Sequence, residues 1–379
     1  MILETKVYLG GRPTLAIIDR AAIRSNFLQV KKNIAKEVDI LAVVKANAYG
    51  HGAVETAKAL GQAGCKFFGV AICEEGIKLR EAGVKAPVII LGGIYTGQRR
   101  DIVKYNLTPV IFDIDTAHQL NNFSSKTGRK IKVHVKIDTG MGRLGLLPEE
   151  VEPFFQKLKR LANLEVDGIL SHFAEADEEN KGFSREQLAI FLKALKVIQK
   201  LAFKPHFQHI ANSAALLEYN PSHFNLVRPG IMLYGVYPTR RMMKKIKLKP
   251  VMRLVTKIIQ LKDVPKGFSV SYGRKYITKK EGIIAAIPIG YGDGYPRHLS
   301  NKGEVLIRGQ RARVAGTICM DITMLDVTHI KGVSVGDEAV IIGKQGNDEI
   351  QVDELAEKAG TIPYEILCGI TSRVPRVYV

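Results

Sequence analysis

The sequence has few cysteines and no long apolar stretch near its start. Its cysteines, Cys65, Cys73, Cys319 and Cys368, lack the spacing of metal ligands, and no histidine pairs with them in a zinc-like pattern. We therefore expect reduced, mostly buried thiols and no metal site. Residues 1–20 carry charges every few positions, which fits neither a signal peptide nor a membrane span. These absences predict a cytoplasmic protein with no membrane partner.

Aromatic residues are also sparse among the basic ones, which matters because the net charge is +19. Basic side chains are spread through every helix-like segment with few aromatics between them, so we expect no nucleic-acid binding. The densest basic cluster, residues 240–249, lies between two differently patterned halves and indicates a solvated interdomain segment. The alternative is a basic entrance to a binding site, which would attract an anionic cofactor or a carboxylate substrate. Electrostatic steering of this kind depends on the local electrostatic field rather than on net charge.

The length and composition are those of an ordinary globular protein of two domains, with 379 residues, 46% of them hydrophobic. Over residues 12–237, short apolar runs alternate about eight times with helix-like segments. This alternation predicts parallel strands in a (β/α)8 TIM-like barrel, an α/β fold. Residues 238–379 contain strands separated by Gly, Asp and Asn turns, which predicts a mostly antiparallel β domain. We expect a leading strand in residues 1–11 to join that β domain.

The stretch from Ile40 to Gly52 contains the first candidate functional residue. Its apolar run indicates a buried strand, and Lys45 stands where the run ends. A lysine there is held on a rigid strand beside apolar neighbours, which favours loss of its proton, as an imine-forming or base-acting lysine requires. A strand-end lysine that simply points to water is the alternative.

A (β/α)8 barrel places its chemistry at the C-terminal ends of the strands, often with a phosphate bound after strands seven and eight. The sequence agrees, because Ser213 can cap a short helix after the seventh run and Gly230 follows the eighth. Backbone N–H groups at a helix start and at a glycine suit a phosphate. The rule brings five positions to one rim: Lys45, Arg143, His172, and the segments 211–213 and 228–231.

Several motifs have a structural and a functional interpretation. The glycines around Arg143 form a tight loop near a ligand or merely a tight turn, and the arginine would offer a planar fork to a carboxylate or phenolic oxygen. His172 is either a core histidine or one that faces a ligand. Tyr272 and Tyr291, each beside a glycine, either pack or place a phenol near a reacting carbon. Met320 either belongs to a core or contacts substrate.

Together, these motifs resemble those of alanine racemase, a pyridoxal-phosphate enzyme family of fold type III. The similarity spans essentially the whole chain in the family's order, through VVKANAYGHG, KIDTGMGRLG, SHFAEADE, ANSAA, RPGIMLYG, VSYGRKY, PIGYGDGYPR, ICMD and RVPR. One such motif would be weak, whereas nine in register are specific. The resemblance implies a barrel that binds pyridoxal 5'-phosphate and an interconversion of L-alanine and D-alanine that supplies D-alanine for peptidoglycan.

The resemblance also implies a role for each matching residue. Lys45 is like the family's Schiff-base lysine, and Tyr272 is like a tyrosine supplied by a partner subunit, which implies two bases and a head-to-tail homodimer. Arg228 matches the arginine that faces the pyridine nitrogen, and His172 a residue near the ring. Arg143 matches a residue near the phenolic oxygen and the substrate carboxylate. The family's phosphate-contacting positions match Tyr49, Ser213, Gly230 and Ile231, with Asn212 beside them. A substrate-side contact matches Met320, and a lysine that is carbamylated in some members matches Lys136.

Two positions depart from the family's pattern. Ser372 stands where the family often has a tyrosine that reaches the phosphate, and Thr317 replaces an arginine frequent before ICMD, so the entry is looser or differently charged. The alternative functions are a broad-specificity or serine racemase, an amino-acid decarboxylase of the same fold, and a non-enzymatic pyridoxal-phosphate carrier. The motifs after residue 240 fit the racemase better than the decarboxylase, and carriers lack the β domain.

Overall fold

We describe a computed structural model of the chain over residues 11–379, which divides into two compact units. One unit comprises Ile23–Ala48 and Ala53–Lys249. The other comprises residues 11–22, the short segment Tyr49–Gly52, and Pro250–Val379. The strand expected in residues 1–11 lies, apart from Gly11, outside the described residues.

The first unit is a nearly closed barrel of eight parallel strands, which confirms the predicted (β/α)8 fold. Its last strand pairs with its first, and between its seventh and eighth strands the Arg228 N–H donates to the Ala211 carbonyl at 3.0 Å. Counted after β1 (Leu15–Ile18), which belongs to the other unit, the barrel strands are β2 (Asp39–Val43), β3 (Phe67–Val70), β4 (Val88–Ile90), β5 (Thr108–Ile111), β6 (Ile131–Lys136), β7 (Leu164–Leu170), β8 (Phe207–His209) and β9 (Leu226–Val227).

Amphipathic helices alternate with these strands. The helix Val151–Leu158, for example, buries Val151, Phe154, Phe155 and Leu158, a spacing that places all four on one face. The helices are α1 (Arg20–Lys32), which enters this unit at Ile23, α2 (Ala53–Gln62), α3 (Cys73–Glu81), α4 (Arg99–Lys104), α5 (Ile114–Thr127), α6 (Val151–Leu158), α7 (Gly182–Lys200) and α8 (Ser213–Glu218). None of the helices within residues 11–379 is long and apolar enough to cross a membrane.

The basic segment at residues 240–249 is part of the barrel unit. Met242 is fully buried, so the segment is not simply a solvated linker. Arg241 and Lys245 reach the same carboxylate, that of Glu218, at 2.7 and 3.3 Å. Although burial raises it, hydrogen bonds from Arg241 and Lys181 bring the pKa of Glu218 down to about 2. Two cations of the charge run therefore pair with one largely buried carboxylate, a pairing that composition alone does not reveal.

The second unit is built on a ten-stranded, mostly antiparallel sheet, as predicted. Its order is β11-β14-β17-β16-β15-β18-β10-β1-β20, with β19 on β18, and β12 and β13 pair separately. The added strands are β10 (Met252–Lys257), β11 (Gln260–Val264), β12 (Ser269–Val270), β13 (Tyr276–Ile277), β14 (Gly282–Ile287), β15 (Glu304–Ile307), β16 (Gln310–Val314), β17 (Thr323–Asp326), β18 (Glu338–Gln345), β19 (Asp348–Ile350) and β20 (Arg376–Tyr378), with helices α9 (Val352–Ala359) and α10 (Pro363–Gly369).

The strand β1 explains why these units differ from the predicted limits of 12–237 and 238–379. It pairs antiparallel with β10 and parallel with β20, so that Ile17 stands opposite Arg253 and Val377. Its hydrogen bonds therefore tie residues 11–22 to the carboxyl-terminal strands. Periodicity identifies a strand but does not say which sheet it joins.

Candidate active site

Lys45 follows β2 and opens a turn whose backbone is left-handed. Ala46, Asn47, Ala48 and Tyr49 have φ values of 50°, 53°, 55° and 52°. L-amino acids avoid this region, at roughly 1–2 kcal/mol for each residue. Such backbone persists where the surroundings hold it, and it concentrates at functional sites.

Two hydrogen bonds within the barrel unit hold this turn and the strand before it. The Ala46 N–H donates to Glu75 Oε1 at 2.6 Å, and the buried Tyr234 hydroxyl donates to the Val43 carbonyl at 2.9 Å. Lys45 is thereby anchored between a buried strand and a constrained turn. A fixed main chain is what a lysine needs to present its amine at one place.

Asp138 organises the loop that carries Arg143. Its carboxylate accepts the N–H groups of Gly140, Gly142 and Arg143 at 2.9, 3.1 and 3.0 Å. Although burial raises it, these hydrogen bonds lower the pKa of Asp138 below its ordinary value. Gly145 must be glycine, because its φ is +131° and a Cβ there would lie 2.5 Å from the Asp138 nitrogen. The glycines thus allow the loop to fold around the Asp138 carboxylate, which fixes the conformation of the loop.

Replacing Asp138 with alanine should destabilise the fold by about 1–3 kcal/mol at neutral pH, because three N–H groups lose their acceptor. The folded pKa is depressed, so this stabilisation is fully present above the ordinary value of 3.8 and is lost as pH falls through the folded pKa. Thermal unfolding from about pH 2 to 7 should show the difference from wild type shrinking in acid. Asp263→Ala, at an exposed position of strand β11, is the control, and a difference for Asp138→Ala that stays constant with pH would contradict the assignment.

Arg228 is 4% exposed, and acceptors surround its guanidinium. Its Nη1 bonds both Nδ1 and the carbonyl oxygen of His209 at 2.9 Å, and its Nη2 bonds the Ser171 carbonyl at 2.6 Å, the Ile210 carbonyl at 3.1 Å and His172 Nδ1 at 3.1 Å. A guanidinium only donates, so both imidazole nitrogens accept. Burial first, and then the Arg228 charge, hold the pKa values of His172 and His209 well below the ordinary value. Both rings are neutral, with their protons on Nε2.

Four cationic side chains gather at the C-terminal ends of the barrel strands. Burial, followed by the charges of Arg143, Arg228 and Lys45, lowers the pKa of Lys136 to about 8. Burial and Arg143 lower the pKa of Arg228 to about 9. Like charges in a desolvated region are unfavourable unless an anion offsets them. The donor set therefore fits a ligand with several negative groups.

The segments after β8 and β9 supply neutral donors beside these cations. The Gly230 N–H donates to Ser213 Oγ at 2.9 Å, which leaves the serine hydrogen able to donate. Asn212 caps the helix that Ser213 begins, because its Oδ1 accepts two N–H groups of the first turn at 3.1 and 3.0 Å. Ile231 begins a short 3-10 helix. First-turn N–H groups suit an oxyanion, so these donors fit a phosphate.

The structure places four other predicted site residues in the second unit: Tyr49, Tyr272, Met320 and Ser372. Tyr272 is 71% exposed, and Met320 is 51% exposed. Ser372 is exposed. Tyr49 is buried, with its ring centroid 5.9 Å from that of Tyr364. The nine other predicted site residues form one group in the barrel unit, whereas these four belong to the second unit.

Thr317, the second departure from the family's pattern, has a structural part. It is 3% exposed, and its hydroxyl donates to the Tyr272 carbonyl at 2.9 Å. Ser271, just before the tyrosine, has a φ of 64°. Thr317 thus holds the strained loop that presents the exposed phenol.

Sequence reasoning missed three residues that position this site. Asp138 could have been found, because it stands two residues before Gly140 and an Asp side chain commonly caps the backbone two residues further on in a turn. His209 lies two residues before the segment Ala211–Ser213 and carried no motif of its own. Glu75 is on helix α3, and nothing in the sequence connects it with Ala46.

Comparisons with known proteins place the whole chain in one family. A family model described as alanine racemase, N-terminal domain, matches residues 18–238, and a model described as alanine racemase, C-terminal domain, matches residues 251–378. The alanine racemase of Halothermothrix orenii is 47% identical over 367 residues, 97% of either chain. That of Geobacter sulfurreducens is 48% identical over 375 residues, 98% of either chain.

Solved structures agree with these relatives. An alanine racemase of Clostridium difficile 630 has a TM-score of 0.94 at 37% identity, covering 99% of this chain and 97% of that one. An alanine racemase of Bartonella henselae, described as having covalently bound pyridoxal phosphate, has a TM-score of 0.87 at 30% identity, covering 97% of this chain and 100% of that one. The barrel, the β domain and the full-length identity lead to one assignment: the chain belongs to the alanine racemase family.

Proposed function

We propose that this chain interconverts L-alanine and D-alanine with pyridoxal 5'-phosphate as its cofactor. The observation that carries the proposal is the cationic group Lys45, Lys136, Arg143 and Arg228 beside the Ser213 hydroxyl, whose hydrogen is left to donate, a set that suits a phosphate and a carboxylate together. The proposal includes a head-to-tail homodimer in the cytoplasm that supplies D-alanine for peptidoglycan. It also includes the reaction of alanine rather than serine as the main substrate.

Different residues would bind different parts of the cofactor. Ser213, Gly230 and Ile231 would hold the phosphate, with Asn212 fixing the helix start, and Tyr49 and Ser372 are the other two proposed phosphate contacts. Arg228 would face the pyridine nitrogen, and Lys45 would hold the aldehyde carbon. When bound, the cofactor withdraws electrons from the substrate and makes its Cα hydrogen acidic. Arg143 would bind the substrate carboxylate, and Met320 would contact the substrate.

Two side chains would move the Cα proton on opposite faces. Lys45 takes or returns it on one face, and Tyr272 of the partner subunit does so on the other. A phenol with a pKa near ~10 is a poor base at neutral pH, so cationic or donating neighbours must favour the phenolate. His172 suits this task, because Arg228 occupies its Nδ1 and leaves its Nε2–H to donate.

Arg228 would also limit side reactions. Its guanidinium is fixed by the carbonyls of Ser171, Ile210 and His209, and it stays protonated at neutral pH. A cation held at the pyridine nitrogen disfavours protonation of the ring. Arg228 would thereby limit the negative charge that the ring of a bound cofactor accepts and would suppress transamination.

Chiral chromatography tests the proposal directly. Purified, cofactor-loaded protein is incubated with single L-amino acids, and the products are separated by enantiomer. We expect D-alanine as the dominant product, with Lys45→Ala as the inactive control. Several D-amino acids at similar rates would indicate a broad-specificity racemase, since a pocket separates one methylene or hydroxyl by only ~1–3 kcal/mol. Carbon dioxide would indicate a decarboxylase, and no product a carrier.

Lys136 is the proposed site of carbamylation. Its folded pKa of about 8 lies below the ordinary 10.5, so between these values the folded chain binds fewer protons than the unfolded chain and stability rises with pH. The neutral Nζ can attack the carbon of CO2, forming an N–C bond and releasing a proton to solvent. The resulting anion offsets the charge of Arg143.

The modification should appear as a carbamate carbon signal when the protein is held in 13C-labelled bicarbonate at about pH 8. The signal should vanish on acidification and be absent from Lys136→Met. Lys193→Met, on the exposed face of helix α7, is the matched control and should keep the signal. A spectrum of the wild type without this signal would overturn the assignment.

A further inference from the structure

The barrel contains a cavity at the end opposite the candidate active site. Its volume is about 670 Å³, and it is lined by Phe67, Thr108, Ile131, Phe207 and Leu226, which begin five of the strands or lie at their starts. Sites for small organic molecules occupy roughly 300–1,000 Å³. The chemistry proposed above uses the C-terminal ends of the same strands, so it leaves this cavity without a role.

The walls of the cavity suit an anion with an apolar body. Lys85, Arg129 and Lys130 line it and are exposed, and no carboxylate among residues 11–379 lies within salt-bridge distance of them. The rings of Phe67 and Phe207 meet edge to face with centroids 5.0 Å apart and provide an aromatic surface. Cations beside an aromatic wall fit a carboxylate or phosphate joined to a ring or chain.

The inner wall carries an ion pair and a buried histidine. Lys132 Nζ lies 3.1 Å from Asp167 Oδ1 and 3.5 Å from Glu165, and the second oxygen of Asp167 is 3.9 Å from His134 Nε2. His134 lines the cavity and is 1% exposed. The charged groups facing it are Asp167 from β7, Lys132 from its own strand and Arg228, which directly follows β9. An anion drawn to Lys132 would compete with Asp167 and change what His134 faces.

A chain of two histidines connects this wall to Arg228. Because the guanidinium donates to His209 Nδ1, the proton of neutral His209 is on Nε2. That nitrogen lies 2.9 Å from His134 Nδ1, which must accept, so the proton of His134 is on Nε2, the side of Asp167. All donors therefore point from Arg228 toward the cavity. Burial lowers the pKa of His134 to about 4, in agreement with a neutral ring.

We infer that the cavity binds a small organic oxyanion, a carboxylate or a phosphate with an apolar body, and that its occupancy is transmitted to Arg228 through His134 and His209. An anion on Lys132 frees the Asp167 carboxylate from its ion pair, and the unpaired negative charge 3.9 Å from His134 Nε2 favours uptake of a proton from solvent by His134. A doubly protonated His134 requires His209 Nε2 to accept, so the proton of His209 moves to Nδ1, against Arg228. Binding of the anion in the cavity does not depend on the proposed racemase function. The consequence of that binding at Arg228 does rest on the proposed function.

Calorimetric titration at low ionic strength tests the site. Phenyl phosphate and benzoate are titrated into cofactor-loaded protein, with inorganic phosphate and acetate as probes without an apolar body. The triple variant Lys85→Gln, Arg129→Gln, Lys130→Gln should bind the aromatic anion about tenfold more weakly. A control with Lys157, Lys159 and Lys193 changed to glutamine has the same net charge and should bind as wild type. Equal binding by the two triple variants, or none that saturates, overturns the site.

Histidine nitrogen spectra test the connection without measuring activity. Phenyl phosphate should shift the ring signals of both His134 and His209. Gly168→Ala keeps the charged lining, but a Cβ there would lie 2.5 Å from His134 Nδ1 and interrupt its bond to His209. This variant should bind within about twofold of wild type and lose the shift at His209. His134→Phe is the second variant, should Gly168→Ala fail to fold. A His209 shift that persists in either variant overturns the connection.

Discussion

Lys45→Ala is expected to lower the racemisation rate by at least roughly 10⁴-fold, because it removes both the proposed attachment of the cofactor and one of the two bases. Lys45→Arg should be equally inactive, since a guanidinium neither forms an imine nor gives up its proton at neutral pH. The measurement is alanine racemisation by circular dichroism, with borohydride reduction and mass analysis to detect the covalent cofactor. Wild type should retain the added mass, and both variants should lack it.

The same substitution should leave the fold intact. Lys45 is one of the cations that depress the pKa values of Lys136 and His172, so its removal relieves like-charge repulsion. Measured on cofactor-free protein, the melting temperature of the variant should therefore equal or exceed that of wild type, an exchange of stability for function. Lys58→Ala is the control, because Lys58 lies half-exposed on α2 beside Glu55. More than about one per cent of wild-type turnover in Lys45→Ala would refute the proposed role.

Tyr272→Phe should lose exchange of the Cα hydrogen from one enantiomer by roughly 10²–10⁴-fold while exchange from the other persists. A phenyl ring keeps the shape of the side chain and removes its proton-carrying oxygen. Because the side chain is 71% exposed, folding should be unaffected. Each enantiomer of alanine is incubated in deuterated water with the cofactor-loaded variant, and deuterium is followed at Cα. Equal losses from both enantiomers would rule out the two-base assignment.

Mixing two inactive variants tests whether the partner subunit supplies this tyrosine. A heterodimer of Lys45→Ala and Tyr272→Phe chains would contain one site with neither base and one with both. Random reassociation of equal amounts should therefore restore about a quarter of wild-type activity. Tyr105→Phe, at a partly exposed tyrosine of the barrel unit that contacts Glu81, is the control and should remain active in both directions. No recovery, or a fully active monomer, would exclude the shared site.

The fold could be predicted because its signals are periodic. Alternating apolar runs and amphipathic segments specify a barrel, and short strands between turn residues specify the β domain. The partner of β1 could not be predicted, because Ile17 meets Arg253 and Val377 through pairings that leave no local pattern. Rules of topology predicted that Lys45, Arg143, His172, Ser213 and Arg228 share one rim.

The finer geometry of the site depends on interactions that a single sequence does not encode locally. Ala46 and Ala48 favour right-handed helix by propensity, yet both are left-handed, because tertiary contacts override a weak local preference. His134 and His209 are 75 positions apart and become a hydrogen-bonded pair only when their strands are placed. The positions of their ring protons follow from a hydrogen bond with Arg228, which directly follows a third strand, β9. Such chains are visible only after folding.

Because β1 lies between β10 and β20, it can be completed in the sheet only after both of those strands have been synthesised. The ribosome makes Leu15 long before its antiparallel partner Val255, and it makes the parallel partners of β1, Arg376 to Tyr378, later still. All elements of the barrel emerge while the apolar strand LAII still has both edges open. A nascent chain therefore carries a strand with unpaired edges, which can pair with another chain, until Arg376–Tyr378 have been made, and a truncation before residue 376 leaves the edge that pairs with β20 open.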